Sequence, residues 1–550
     1  MKRSIILIML ILAVFSLSAE ELVLDIMFTN DIHGGIDSYP ATFINPDFPP
    51  QLGGGASAAT YIKNIRNLSD ESRNSLLVDA GDFFQGHPIG SKSEGKSIIK
   101  YMNWIGYDVM TIGNHEYDIG EEKLKLLLAM AEFPILSCNI VKKGTNELVD
   151  YATPFVIKEK MGLKIGIIGV TTTDTKKMSF PDHVKNIDFL SAKDALEKYV
   201  PIVKKKGADI VIVLGHMGLP YNPEPGYKKR YAKSGERKRN SVWGYDSQEL
   251  AHEVEGIDIF FGGHMHKGFG EPWEDPNTHT LVFQGYAYGS NVGHVSIKID
   301  KETKTVSGYE VPAIKEGVLM TLFEDEILPD KEFSEKIEIM QKEAEKGMDK
   351  IIGEAEIALS KAGDGAQNIM GNIVCESMLE ATDADFTFIN LGGLRGEITR
   401  GPVTHRDIFT VMPFDNKLIL MTIDGNTLKK IIETRVAHGA HGLLVAGVKV
   451  TYNKNRDNFD RITRLIIGGE PWEADKMYKV VTTDFLMQGN ARLDMLLSIP
   501  DEQQLNLGML LRDAMVNYFV KNSPVSGQLD DRWIRDDKSE LTKELSEALK

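Results

Sequence analysis

The sequence predicts an α/β protein of two domains, and three observations predict it. From Leu22 onward, short apolar runs alternate with stretches of helical spacing. A highly charged segment, Glu324 to Gly353, interrupts that alternation, which then resumes to about Arg535. Strand alternating with helix gives buried sheets flanked by helices. A chain of 550 residues is long enough for two or more sizeable cores.

The first element is not part of the fold. Lys2 and Arg3 precede an unbroken apolar run, Ile5 to Phe15, and Leu17-Ser18-Ala19 offers small residues for cleavage. This is a signal-peptide pattern over residues 1–19, and the run is short for a membrane span. It predicts an exported protein, periplasmic or secreted, without stable membrane insertion; an uncleaved N-terminal anchor is the competing reading.

The first domain is expected over 20–322. Its strands are read at Leu22–Thr29, Ser75–Asp79, Val109–Ile112, Phe133–Ser137, Lys164–Val170, Ile210–Leu214 and Ile257–Phe261, with helical spacing over Ser57–Asn67 and Glu121–Glu132. Thr280–Gln284 and Gly293–Asp300 alternate as antiparallel strands do. A long, solvent-exposed linker helix is expected over 323–350, with Phe333, Ile337, Ile339, Met340, Met348 and Ile351 as its spaced apolar residues. The second domain, 351–535, shows a helix at Ile369–Glu380 and strands at Asp385–Asn390, Lys417–Ile423, Leu444–Thr451 and Lys479–Asp484. Residues 536–550 form a charged tail.

Composition narrows the function. Hydrophobic residues make up 42% and charged residues 26%, which excludes a wholly disordered chain and a multi-span membrane protein. The formal charge of −16 gives no global attraction to nucleic acid. Cys138 and Cys375 are the only cysteines, so there is no disulfide framework and no cysteine-rich zinc site. Both are read as small core residues. Gly53-Gly54-Gly55 lacks the spacing of a dinucleotide fingerprint.

The chemistry lies in five loops, each following an apolar run: Asn30-Asp31-Ile32-His33, Gly81-Asp82, Gly113-Asn114-His115-Glu116-Tyr117-Asp118, Gly215-His216, and Gly262-Gly263-His264-Met265-His266. The C-terminal ends of parallel strands share one edge, so the loops can converge there. Asp31/His33 and His264/His266 are i, i+2 pairs, which point to one side of an extended segment. Asp, His and Asn without Cys suit Zn²⁺, Mn²⁺ or Fe²⁺. Seven candidate ligands (Asp31, His33, Asp82, Asn114, His216, His264 and His266) are too many for one four-coordinate ion and suit two ions sharing a carboxylate. A lone Asp-x-His or strand-end His is more often structural, and His87, His183, His252 and His405 keep that reading. Five such groups in one order do not.

That order resembles the calcineurin-like metallophosphoesterases. Ile389-Asn390-Leu391-Gly392-Gly393-Leu394-Arg395 and Val411-Met412-Pro413-Phe414-Asp415-Asn416 are similar to the C-terminal domain of the 5′-nucleotidase family, which includes bacterial periplasmic UDP-sugar hydrolases. The resemblance covers about residues 22–535. It implies an N-terminal β-sandwich flanked by helices, a linker helix, and a C-terminal α/β substrate domain that rotates to deliver substrate. It implies two divalent metal ions (Zn, Mn or similar): one on Asp31, His33, Asp82 and His266, the other on Asp82, Asn114, His216 and His264, with Asp82 shared. His115 would contact the phosphoryl group, and Asp118, one helical turn away, would orient it. Asn390, Gly393, Arg395, Phe414 and Asn416 would bind substrate, with Arg395 on phosphate and Phe414 as one half of an aromatic clamp on the base.

Three features depart from the family pattern, one of them that the acidic residue expected near the ribose, a few positions after Leu493, is not evident. Ala366 stands where an Arg is usual, and no Arg occurs between Lys361 and Glu380. In Phe485-Leu486-Met487-Gln488-Gly489-Asn490-Ala491-Arg492-Leu493, Leu493 takes the place of the second clamp aromatic. The stretch Tyr221–Tyr245 is locally basic through Lys228, Lys229, Arg230, Lys233, Arg237, Lys238 and Arg239. It reads as a solvated surface loop or as a flap steering anionic substrate. The expected activity is metal-dependent hydrolysis of a small phosphoester, foremost a 5′-nucleotide. The alternatives are a non-nucleoside phosphoester, UDP-sugar or 2′,3′-cyclic phosphodiester on the same scaffold, or a binding protein without catalysis.

Overall fold

The computed structural model describes residues 21–45, 47–231, 244–312, 317–363, 367–437 and 443–537. The leader pattern of 1–19, Ala366, the basic residues Lys233, Arg237, Lys238 and Arg239, and the tail beyond 537 lie outside the described residues.

The first domain is two packed sheets with helices on both outer faces. In the first sheet, strand Glu21–Thr29 lies parallel to Arg73–Asp79, which continues into Val109–Thr111 and Ile135–Leu136. On its other side it pairs antiparallel with Asn291–Asp300. In the second sheet, Leu163–Thr171, Ile210–His216 and Ile259–Gly262 run parallel. Side-chain alternation explains the layering. Leu22, Leu24, Ile26 and Phe28 from one sheet meet Ile165, Ile167, Ile210, Ile212 and Phe261 from the other in the inner core. The intervening residues face outward: Met27 and Leu77 toward the helices Gly54–Arg66 and Lys96–Ile105, Val211 and Val213 toward Ala192–Lys205. Buried Asp25 pins the rim of this sandwich, accepting from Arg73 Nε (2.6 Å) and Ser296 Oγ (2.6 Å).

Three elements differ from the sequence expectation. Leu281–Gln284 pairs antiparallel with Trp273–Glu274, as expected, but parallel with Ile259–Gly262 on its other side, because the chain returns to the same sheet edge after the loop carrying His264 and His266. The helix after the first domain is only Lys331–Ala344, and its apolar face is buried. Phe333, Ile337 and Met340 sit in the first domain's core, so the charge of this segment marks one face of an amphipathic helix. The run Leu444–Thr451 breaks into Leu443–Ala446 and Val448–Tyr452 at Gly447, whose φ of +80° is cheap only without a side chain.

That break serves two sheets in the second domain. Leu443–Ala446 joins a five-stranded sheet with Phe386–Asn390, Met477–Thr483, Lys417–Asp424 and Gln504–Leu510. Val448–Tyr452 joins a four-stranded sheet with Ile462–Ile467. Helix Ile369–Glu380 is capped by Asn368, which accepts from Gly371 N–H. The linker is tied to this domain where Arg406 pairs with Glu345 and Asp349. The domains also meet at Gln85 Nε2, which donates to Pro413 O (3.3 Å), and at the Phe180 and Phe485 rings, 6.1 Å apart.

Candidate metal centre

The five loops leave strands of two different sheets. Asp31, His33, Asp82 and Asn114 follow strands of the first sheet, and His216 and His264 stand at strand ends of the second. The centre therefore straddles the open end of the sandwich. Two groups of ligating atoms form there, each with its atoms within 4.8 Å of one another: Asp31, His33 and His266, and Asp82, His216 and His264. Asp82 Oδ2 lies 2.9 Å from His216 Nε2 and 3.9 Å from His33 Nε2, so this one oxygen faces both groups. Asp31 Oδ1 is 3.3 Å from His266 Nε2.

The i, i+2 pairs reach the centre differently from the extended geometry expected of them. Asp31, His33, Asp82, His264 and His266 all have positive φ, between 47° and 74°. Each such non-glycine position costs of order 1–3 kcal/mol and persists only where the surroundings impose it. The consequence is a division of labour: His264 turns to one group and His266 to the other. Gly113 shows how tightly the loops approach, since a Cβ there would stand 2.2 Å from Asp82 Oδ1.

The surroundings are well supplied with orienting bonds. His216 Nδ1 lies 2.7 Å from Ala80 O and His33 Nδ1 2.6 Å from Gln85 O, which turns each Nε2 inward. Asp31 accepts His264 N–H (2.8 Å) and Asn30 Nδ2–H (2.7 Å). Glu116 received no role from the sequence, yet it accepts N–H bonds from Gly113 (2.6 Å), Phe83 (2.9 Å) and Asp82 (3.0 Å). It clasps the two loops together, and burial with Asp82 beside it pushes its carboxyl up to about 8. The one signal for it was a lone Glu inside the Gly113–Asp118 loop.

The charges suit cations. Burial would raise Asp82 and lower His216, but mutual attraction wins: Asp82 is held well below its usual range and His216 is pushed up to about 10. Asn114 Oδ1 is buried without a hydrogen-bond partner. A buried orphan acceptor beside two carboxylates and four imidazoles is a donor set that fits divalent ions of the Zn²⁺ or Mn²⁺ kind.

His115 opens the 3₁₀ turn His115–Ile119, which brings its Nδ1 to 2.7 Å from Asp118 Oδ2. Burial pulls its pKa down, Asp118 and Asp82 pull harder, and the net direction is upward. From the second domain Arg395 Nη2 comes to 2.9 Å from His115 Nε2, and Phe414 stacks on the His115 ring at 5.6 Å. Arg395 also lies over Phe414, 5.2 Å from the ring centre. Asn390, Gly393 and Asn416 sit on the same two loops as Arg395 and Phe414; Asn390 is half-buried, and Asn416 O accepts Leu511 N–H. Leu493 is not a clamp residue. It is fully buried in the second domain's core with Leu486, Met487 and Leu496, because the turn before it tucks an apolar side chain inward. A cavity of about 1140 Å³ opens between the domains, lined by His266, Tyr286 and Tyr288 on one side and Lys361, Arg395 and Glu397 on the other.

Residues 24–268 match the family described as calcineurin-like phosphoesterase, and residues 350–498 match the 5′-nucleotidase C-terminal domain. The chain is 28% identical over 485 residues to the endonuclease YhcR of Bacillus subtilis, covering 85% of this chain but only 37% of that protein. It is 27% identical over 532 residues to a 5′-nucleotidase of Vibrio cholerae, covering 91% of each. Among solved structures, a 5′-nucleotidase precursor from Thermus thermophilus shares the fold with a TM-score of 0.79 at 23% identity, covering 94% of this chain and 99% of that one.

Proposed function

We propose that this chain, which belongs to the 5′-nucleotidase family of metal-dependent phosphoesterases, is an exported hydrolase that releases phosphate from 5′-nucleotides. The observation that carries the reading is the pair of ligand groups joined by Asp82 Oδ2, with His115, Arg395 and Phe414 closing over them. Asp31, His33, Asp82 and His266 would hold one divalent ion, and Asp82, Asn114, His216 and His264 the other. When bound, such a pair supplies Lewis acidity and lowers the pKa of water for in-line attack at phosphorus.

The chain's own residues do the rest. Asp118 fixes the His115 tautomer with the proton on Nδ1 and stabilises the imidazolium. With that tautomer, neutral Nε2 accepts from Arg395 Nη2–H. Protonated on Nε2 as well, the form Asp118 favours, His115 would donate together with Arg395 to a phosphoryl oxygen entering between them, and the two cations would neutralise the charge that grows on the transferred group. Phe414 would offer one face for a base. The division into a metallophosphoesterase domain over 20–322, a linker and a substrate domain over 351–535 belongs to the same reading. Export rests on the leader pattern of 1–19; among the described residues no helix is long and apolar enough to cross a membrane.

A phosphate-release screen over nucleotides and sugar phosphates with added Mn²⁺ or Zn²⁺ tests this. AMP and its relatives should be turned over with little discrimination among bases and a high Michaelis constant, since one stacking face is present where a sandwich would supply two. Strong preference for one base would overturn the specificity claim, and no turnover of any nucleotide would overturn the function. A second reading, a non-nucleoside phosphoester, UDP-sugar or cyclic diester, is favoured by the burial of Leu493, which leaves the base site half-built. The same screen separates the two.

A further inference from the structure

Three cations of the second domain line the interdomain cavity, and one of them, Arg406, is paired with Glu345 and Asp349; the other two are Arg395 and Lys361. Arg395 sends its guanidinium tip to His115 Nε2, 2.9 Å away, and its Nε is buried without a hydrogen-bond partner. Lys361 stands at the other end of that same residue. Its half-buried ammonium reaches the Arg395 carbonyl at 3.5 Å, too long for a firm bond. Among the described residues neither cation forms an ion pair. Glu397, whose charge acts on Lys361, has one oxygen engaged elsewhere: Oε1 accepts Ser360 Oγ–H (2.8 Å) and the Lys361 backbone N–H (2.6 Å). Lys361, Arg395 and the candidate ligand His266 line one cavity.

Such an arrangement is unfavourable in the protein by itself. Burial and the Arg395 charge push the Lys361 ammonium down to about 8, with Glu397 pulling the other way. Three ammonium donors with one long contact, set in the wall of a large cavity, are met best by an anion.

We propose that Lys361 grips a second anionic group of the substrate, beyond the phosphoryl group that meets His115 and Arg395. The tip of Arg395 marks the reacting group and its backbone end marks Lys361, so the two cations stand in series along the cavity wall. The substrate class this fits is a nucleotide or ester carrying two linked anionic groups, a diphosphate in the simplest case. The assignment of the first anion rests on the phosphoesterase reading above; the grip of Lys361 on a second does not require turnover.

The test is calorimetric, on manganese-loaded protein dialysed free of excess ion, with methylphosphonate and methylenediphosphonate as probes carrying one and two anionic groups. Wild type should prefer the diphosphonate, and Lys361→Gln should cut that preference roughly tenfold or more, the loss expected for one charge-assisted bond. Lys361→Arg should retain it. Should Lys361→Gln fail to fold, Lys361→Met, which keeps the apolar stem, is read in its place. An unchanged preference in the neutral variants overturns the proposal, and so does equal weakening of both probes, which would mean a general field effect. An enzyme that releases no phosphate from nucleotides, yet loses diphosphonate preference on neutralising Lys361, would refute the nucleotidase reading alone.

Discussion

The two halves of the candidate site are built on opposite principles. The candidate metal rim belongs to one domain, and each candidate ligand stands at the end of a buried strand or on the loop that leaves it. Its backbone is strained at five positions and held there by bonds such as those of Glu116 and Ala80. The substrate face belongs to the other domain and reaches the rim through two side chains, Arg395 and Phe414, whose loops also carry the substrate-binding expectations. A rim pre-formed within one rigid unit can hold ions whatever the second domain does. A face that meets it across a cavity can come and go without dismantling the rim. Damage to the rim should therefore remove metal and activity together, whereas damage to the face should remove activity and leave metal.

Asp82→Asn probes the rim and carries the largest expected effect. Losing an oxygen that faces both groups should strip most metal and cost roughly 10³-fold or more in turnover. Elemental analysis should then find less than one ion per chain, against two expected for the wild type. Two ions retained in the variant would break the comparison.

His115→Ala and Arg395→Ala probe the boundary. His115 is on a first-domain loop but touches the second domain, so its loss should cost roughly 10²–10⁴-fold in kcat with both ions kept. Arg395→Ala should raise KM as well as lower kcat, again with full metal content. Loss of metal in either variant would show that the face supports the rim. Asp118→Asn should be milder and should shift the pH profile, because the carboxylate raises His115.

Metal loading itself sharpens the picture through protons. Asp82 and Asp31 hold His216 protonated with a pKa near 10, so an ion binding there at neutral pH must displace a proton. Affinity should fall as pH falls, by about tenfold per unit for each proton released. Calorimetry in buffers of different ionisation enthalpy measures that release; no release would mean the ions bypass His216.

The smallest effect concerns the second domain's core. Leu493→Phe places extra volume where no space exists and should destabilise by about 1–3 kcal/mol, lowering Tm by several degrees. It should not lower KM for AMP. A lower KM with unchanged Tm would mean that residue 493 reaches the base after all.

Much of the rim was legible along the chain because its ligands are local. A strand end, a glycine and a His or Asp recur five times, and adjacency in sequence is enough to see them. Glu116 was overlooked because its partners are backbone N–H groups, one in its own loop and two in another, which leave no mark on residue type. Leu493 misled for a related reason: an apolar residue in a loop looks the same whether it faces a ligand or a core. The short, half-buried linker helix was hidden by its charge, since Phe333, Ile337 and Met340 reveal their role only against a neighbouring helix.

By itself the sequence determined the alternation of strand and helix, the two-domain order and the ligand types, because hydrophobic periodicity and side-chain chemistry are local properties. Only the tertiary structure decided that the five loops leave two sheets, that five of their residues take positive φ, and that Arg395 meets His115. Those outcomes depend on sheet packing, on strained φ angles that long-range bonds enforce, and on how two domains close over a shared cavity. None of these is encoded by any short stretch of residues read alone.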